Sequence, residues 1–262
     1  MNLSISNIGW PKEQDVQVYG LMRKYGFSGL EIAPTRIFSH DPYGKIPEAV
    51  EWKRKLQQQY GFNISSMQAI WFGRQEKLFG SKEERDFLKE YTKRAIDFAA
   101  AMDCSNLVFG CPKNRIIPDN GDLETAVVFF RELGDYAASR GTVLGIEANP
   151  PIYRTNFIND TESALALIKL VDSDGFLLNL DVGTMIENQE DTNILRGKIH
   201  LINHVHVSEP KLKLIESRSL HHDLALLLND ENYEKYVSIE VGLQKETEAL
   251  ESVMKYVTEQ MG

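Results

Sequence analysis

The sequence predicts a closed (β/α)8 barrel, a TIM barrel, and three observations predict it. Eight short β-branched or apolar runs recur along the 262 residues, and segments of helical period separate them. The repeat of about 30 residues per unit suits parallel strands joined by right-handed crossovers. A doubly wound open sheet is the alternative, but the first strand has no Gly-x-Gly-x-x-Gly turn and no Gly-x-x-x-x-Gly-Lys-Ser/Thr occurs. Barrels of this kind take about 200 to 250 residues as one unit. No Pro/Gly/Ser linker, repeat or low-complexity tract divides the chain, so residues 1–262 read as one domain.

In order, Leu3 to Ile8 is the first strand and Glu13 to Tyr25 the first helix. Leu30 to Ala33 makes strand two, about Pro47 to Tyr60 a helix, and Ile64 to Ile70 strand three. Ser81 and Glu84 form a capping-box signature, and behind it Phe87, Tyr91, Ala95, Phe98 and Met102 step with the period of one helix face. Leu107 to Phe109 is strand four, followed by a helix from Leu123 to Ser139 that stops at Gly141. After strand five, Val143 to Ile146, either Asn159 or Asp160 caps a helix carrying Ala164, Leu165, Leu167 and Ile168. Phe176 to Leu180, Ile202 to Val207 and Val237 to Val241 complete the strands, while Leu224 to Leu228 and Leu250 to Val257 supply two late apolar helix faces.

With 42% hydrophobic residues the chain has material for a sizeable core. Its 29 Lys+Arg against 38 Asp+Glu give a formal charge of −9, which opposes long-range attraction to nucleic acid or an anionic membrane. Cys104 and Cys111 are too few for a disulfide framework or a multi-cysteine zinc site. There is no basic leader with a long apolar run behind it, and no stretch of about 18 uncharged apolar residues. The expectation is a cytoplasmic protein with neither a nucleic-acid nor a membrane partner; a homo-oligomer is compatible with the sequence but not required by it.

Chemistry in such barrels gathers where the strands end, so polar residues closing apolar strands carry the most weight. Glu147, Asp181, His206 and Glu240 close the last four strands at separations of 34, 25 and 34 residues, about one βα unit each. Adjacent strands therefore aim them at one point. Three carboxylates and one imidazole would repel one another and raise their own pKa values, and a divalent cation resolves that. The oxygen-rich set suits one divalent metal ion, Mn²⁺ first, with Mg²⁺, Co²⁺ and Zn²⁺ as the other candidates. The competing reading pairs each acid with a nearby Lys or Arg.

Three segments carry a resemblance: Ile146 to Tyr153 (IEANPPIY), Val108 to Arg115 (VFGCPKNR) and His204 to Pro210 (HVHVSEP). With them the chain resembles the sugar phosphate isomerase/epimerase superfamily, the xylose isomerase-like barrels that include apurinic-endonuclease family 2 relatives. The resemblance implies that Glu147, Asp181, His206 and Glu240 are metal ligands, with Glu147 and Glu240 doubling as the acid/base pair. Two departures matter. Where ketose 3-epimerases of the superfamily carry a His three residues after the Asp ligand and an Arg six after the His ligand, this chain has Thr184 and Leu212. The nucleases assemble three zinc ions from a larger histidine set, whereas this chain has six His, two of them the adjacent His221 and His222.

Further candidates follow strand ends. Lys113 and Arg115 are placed to hold a substrate phosphate or carboxylate, with a solvated turn as the competing role. Asn149 and Tyr153 are placed against substrate hydroxyls, and Asn149 can instead satisfy backbone before Pro150. Trp71 offers a stacking wall or simple packing. Glu31 and Glu209 are candidates to orient a substrate hydroxyl or a lysine. His204 reads as barrel core, His221 as a cap or loop group, and the acidic Glu187 to Asp191 stretch as a solvated loop and helix start.

The expected function is metal-dependent isomerisation or epimerisation of a small sugar or sugar phosphate by proton transfer next to a carbonyl. A dehydratase or lyase acting on a polyol or keto-acid is the rival within enzymes. A non-catalytic sugar-binding barrel and a metal-dependent endonuclease are the rivals outside that chemistry.

Overall fold

Eight parallel strands pair in chain order and close on themselves: β1 (Asn2–Ser6), β2 (Gly29–Ile32), β3 (Asn63–Met67), β4 (Leu107–Phe109), β5 (Leu144–Ile146), β6 (Phe176–Asp181), β7 (Ile202–Ser208) and β8 (Tyr236–Glu240). The structure, a computed structural model, describes residues 1–262. Outside the barrel lie α1 (Asp15–Lys24), α2 (Pro34–Ile37), α3 (Ile46–Tyr60), α4 (Lys82–Ala101), α5 (Leu123–Ser139), α6 (Thr161–Val171), α7 (Val182–Asn188), α8 (Ser219–Asp230) and α9 (Thr247–Met261). No helix is long and apolar enough to cross a membrane.

The apolar core lies between the sheet and these helices, where Ile5, Leu30, Ile32, Phe109, Ile146, Val205 and Ile239 are all buried. Its aromatic centre is a chain of edge-on and stacked rings: Trp71 on Phe109 at 4.7 Å, Phe109 on Phe130 at 4.9 Å and Phe130 on Phe176 at 4.8 Å. Inside the barrel the side chains are polar instead. Ser4 of β1 meets Ser65 of β3 at 2.6 Å, Asn106 beside β4 donates to Asn179 of β6 at 3.3 Å, and Asn203 of β7 donates to Asn106 at 2.9 Å. These bonds run between strands that are not neighbours, so they tie the barrel across its interior and satisfy groups that burial would otherwise penalise.

The capping box before α4 forms as the sequence predicts: Glu84 donates its backbone N–H to Ser81 Oγ at 3.3 Å, and Ser81 donates its own to Glu84 Oε2 at 2.8 Å. Asp160, rather than Asn159, caps α6. The apolar face of α4 is shifted from the expected stripe, since Leu88, Ala95, Ile96, Phe98 and Ala99 are buried while Phe87 is 42% exposed. β3 stops at Met67, short of the expected Ile70, because Ala69 takes a left-handed φ of 54° that no strand continues through. Two helices were not legible. The four-residue α2 starts at Pro34, and α7 follows β6 without any loop, capped by Asp181, the last residue of the strand itself. The acidic stretch ends α7, at Gln189 in a left-handed conformation, and its Asp191 then caps the short 3-10 helix Thr192–Leu195.

Candidate metal centre

Strand register assembles the four residues. Asp181 pairs with His206 across β6 and β7, Ser208 pairs with Glu240 across β7 and β8, and Glu147, one residue past β5, donates its backbone N–H to Phe109 O at 3.1 Å. One ligand atom from each of Glu147, Asp181, His206 and Glu240 lies within 4.8 Å of all the others. Gly110 leaves the room this needs, because a Cβ there would stand 2.7 Å from Glu147 Oε2.

Each group is held from behind. His206 Nδ1 stands 3.0 Å from Glu147 Oε1 and 3.3 Å from Glu240 Oε2, while its Nε2 lies 2.8 Å from Glu31 Oε2. Asn179 donates to Glu147 Oε1 at 3.0 Å, and Asn149 donates to Glu147 Oε2 at 3.1 Å. Asp181 accepts from the Ser208 hydroxyl at 2.8 Å and from the Thr184 N–H at 2.5 Å, as the N-cap of α7.

The electrostatics are those of a cation site. No Lys or Arg pairs with any of the three carboxylates, and His206 is their nearest positive group. Burial, then the charges of Glu147 and Glu240, push Asp181 up to about 7. Burial also raises Glu240 against the opposing pull of His206. His206 is buried, which by itself disfavours its charge, yet Glu31 and Glu240 outweigh that and hold it well above the ordinary imidazole range. Three oxygen donors, one ring nitrogen fixed through its far side by a carboxylate, and uncompensated negative charge together fit a divalent cation.

The structure places the other candidates differently. Asn149 and Tyr153 line the cavity of about 200 Å³ over the cluster, together with Cys111 and Leu212. Arg115 does not reach it. The chain turns at Cys111, φ 46°, and sends Arg115 inward, fully buried, where Nη2 donates to Glu147 O and Asn149 Oδ1, both at 2.8 Å. Lys113 is exposed outside that cavity. Trp71 lies four residues past β3, donates to Thr92 Oγ1 at 2.8 Å and packs on Phe109 and Phe129, so it is core and not a cavity wall. Glu31 is buried beneath the cluster, accepting from Gln68 at 2.9 Å, and turns to His206 instead of the mouth. Glu209 borders the cavity, but Arg218 takes both its oxygens, at 2.6 and 2.7 Å. His204 is core, 3.2 Å from Glu31 Oε2 without hydrogen-bond alignment. His221 lies inside the first turn of α8, its Nδ1 2.9 Å from the Tyr256 hydroxyl. Asn179 and Ser208 are the supporting residues the sequence reading passed over. Each stands two positions from a ligand on the same strand, and the period-2 rule puts it on the ligand's face.

The xylose isomerase-like TIM barrel family model matches residues 20–259. The chain belongs to that family. No curated protein matches it by sequence. Among solved structures it is similar to D-psicose 3-epimerase from Clostridium cellulolyticum H10, at 16% identity and a TM-score of 0.82 over 100% of this chain and 99% of that one. It is similar to 3-keto-D-glucoside 4-epimerase from E. coli, at 20% identity and a TM-score of 0.78 over 99% of both chains. It is also similar to an AP endonuclease, family 2, from Brucella melitensis, at 19% identity and a TM-score of 0.72 over 99% of both chains. At these identities the likeness is one of fold, which this family spreads over different chemistries.

The raised groups give a pH prediction. Asp181 moves from an ordinary 3.8 to about 7, so between these values the folded metal-free chain keeps a proton that the unfolded chain has released. Its contribution to stability is present at low pH and lost as pH rises through about 7, and a cation must displace that proton to bind. Mn²⁺ affinity is expected to fall by at least about tenfold per pH unit below that point, and the Mn²⁺-induced rise in Tm to grow from about pH 5.5 to 8. Calorimetric titration and thermal melts check this; a pH-independent affinity would contradict it.

Proposed function

We propose that this protein is a divalent-metal-dependent sugar isomerase or epimerase that moves a proton next to a carbonyl. The observation that carries the reading is the convergence of Glu147, Asp181, His206 and Glu240 on one point at the strand ends. These four would hold the ion, with Mn²⁺ the first candidate. A metal bound there supplies Lewis acidity toward the oxygens of the substrate.

The chain's own groups supply the rest. Glu147 reaches the cavity from the β5 side and Glu240 from the β8 side, with Asp181 and His206 between them. A substrate lying across the cavity therefore has a carboxylate at each flank. Burial raises Glu240, which strengthens it as a base. The Asn179 and Asn149 amides fix the Glu147 plane, so its oxygens do not wander from the C–H bond they face. Transfer from one face and return to the other gives epimerisation; one carboxylate serving adjacent carbons gives isomerisation.

The solved neighbours named as sugar epimerases support this class. Thr184 and Leu212 separate the protein from the ketose 3-epimerase pattern. Thr184 is buried, donating to Ala148 O at 2.8 Å, and Leu212 borders the cavity at φ 54°. The substrate is therefore proposed to differ from a free ketohexose.

Metal analysis by plasma mass spectrometry is the test. About one Mn, Co, Mg or Zn per chain is expected in the wild type, lost in both Asp181→Asn and His206→Ala. A wild type that takes up no metal on reloading sinks the reading.

A further inference from the structure

The cavity over the cluster is small, about 200 Å³, and no Lys or Arg lines it. Ligand sites are usually about 300 to 1,000 Å³. A second cleft of about 1050 Å³ lies beside it, over the loops that follow β1, β2 and β3, and the two share Gln68 and Ala69 as a common wall. A substrate with its reacting carbons at the carboxylates thus has open space in one direction.

The charges lining this cleft are settled except for one. Arg36 pairs with Asp15 at 2.6 Å, Arg94 with Asp41 at 2.6 Å, and Glu90 with Lys93 at 3.2 Å. Arg74 has no acidic partner, and its Nε is shut off from solvent without a hydrogen bond. Its guanidinium stands 5.1 Å from the Tyr91 ring and 5.8 Å from the Phe87 ring, which are themselves stacked. Set over these aromatic rings, the guanidinium has no other partner for its two terminal nitrogens, which can therefore meet an anion's oxygens.

The loop that carries it is fixed. Phe72 N–H donates to Ala69 O and Arg74 N–H to Trp71 O, both at 2.9 Å, and Trp71 is anchored in the core. Phe72, 68% exposed, adds an apolar face at the cleft. Lys113 and Arg115, the cations the sequence suggested for a substrate anion, are respectively outside the reactive cavity and buried beneath it.

We propose that this cleft receives the part of the substrate remote from the reacting carbons, and that Arg74 there binds an anionic substituent, a phosphate or a carboxylate. The proposal rests on the isomerase or epimerase reading for the reacting end alone. The Arg74 fork grips the anion, and Phe72 covers the apolar face of the chain or ring that bears it.

The test is calorimetric titration of the Mn²⁺-loaded full chain with D-fructose, D-fructose 6-phosphate and D-fructuronate, for the wild type, Arg74→Gln and Arg74→Lys. At least one anionic sugar is expected to bind about tenfold or more tightly than D-fructose. Arg74→Gln abolishes that preference while leaving Mn²⁺ affinity and D-fructose binding unchanged, and Arg74→Lys restores part of it. The ranking of phosphate against carboxylate identifies the substituent. If neither anionic sugar outbinds D-fructose, or if the preference survives Arg74→Gln, the proposal is wrong. A chain that takes no metal overturns the proposed function but not this inference, since the same titrations on metal-free protein still read the Arg74-dependent preference.

Discussion

Replacing Glu240 by Gln is expected to slow proton exchange at the substrate's reacting carbon by about 10²- to 10⁴-fold at saturating metal, the usual loss for a positioned general base. Gln has the same shape but no basic oxygen. Glu240 has His206 Nδ1 as its charged neighbour, at 3.3 Å, and no amide donates to it. The substitution therefore lowers metal affinity, which saturating Mn²⁺ offsets, but leaves the surrounding hydrogen bonds in place. Glu147→Gln is more disruptive. Both Glu147 oxygens accept from amide nitrogens, Asn179 at 3.0 Å and Asn149 at 3.1 Å, and a Gln amide must turn a donor toward one of them. That variant is expected to lose both exchange and Mn²⁺ affinity. Solvent-deuterium incorporation, followed by NMR, separates the two reactions. With a base on each flank, each single variant loses exchange from the substrate epimer whose C–H faces the missing carboxylate and keeps it from the other epimer, without turnover between them; with a single base, one of the two variants keeps near wild-type exchange. If both variants keep wild-type rates, the carboxylates are not the proton-transfer groups.

The strands and the four converging residues were legible because the signal is local. A Glu, Asp or His that closes a β-branched run is visible within six or seven residues, and strand register then does the rest. Residues whose role depends on barrel closure were not legible in the same way. Glu31 lies 175 residues from His206, and nothing near Glu31 in the chain says that it faces an imidazole instead of the mouth. Arg115 and Trp71 failed for a related reason. The left-handed turns at Cys111 and Ala69 reverse the direction that strand alternation would give the residues after them. Phe87 looked like core because it keeps the helix period, yet it lines a cleft built by other loops. Local pattern fixes which way a side chain points on a strand or helix, but not what a neighbouring loop has left open above it.

Glu31 carries the second large expected effect. Glu31→Ala should weaken Mn²⁺ binding by about 10- to 100-fold, the range found when the outer partner of a metal-bound histidine is removed. His206 presents Nδ1 to the carboxylates only while Nε2 is tied to Glu31 at 2.8 Å. Two effects of the substitution oppose each other. The missing acceptor frees the ring and leaves a buried N–H unpaired, which weakens the site. The missing negative charge removes the first of the groups that hold His206 above its ordinary range, so its proton competes less with the metal, which strengthens binding at low pH. Burial alone would raise Glu31 itself, but His206 and His204 outweigh it and keep the carboxyl ionised, so the lost group is a full charge. The deficit in affinity should therefore be larger at about pH 8, where proton competition is weaker, and should narrow toward about pH 6. Glu31→Gln, which keeps an acceptor for Nε2–H but not the charge, should recover most of the affinity at the higher pH. Calorimetric Mn²⁺ titrations of both variants at the two pH values decide the matter. A Glu31→Ala protein that binds Mn²⁺ as tightly as the wild type near pH 8 would mean that strand β7 alone orients the imidazole.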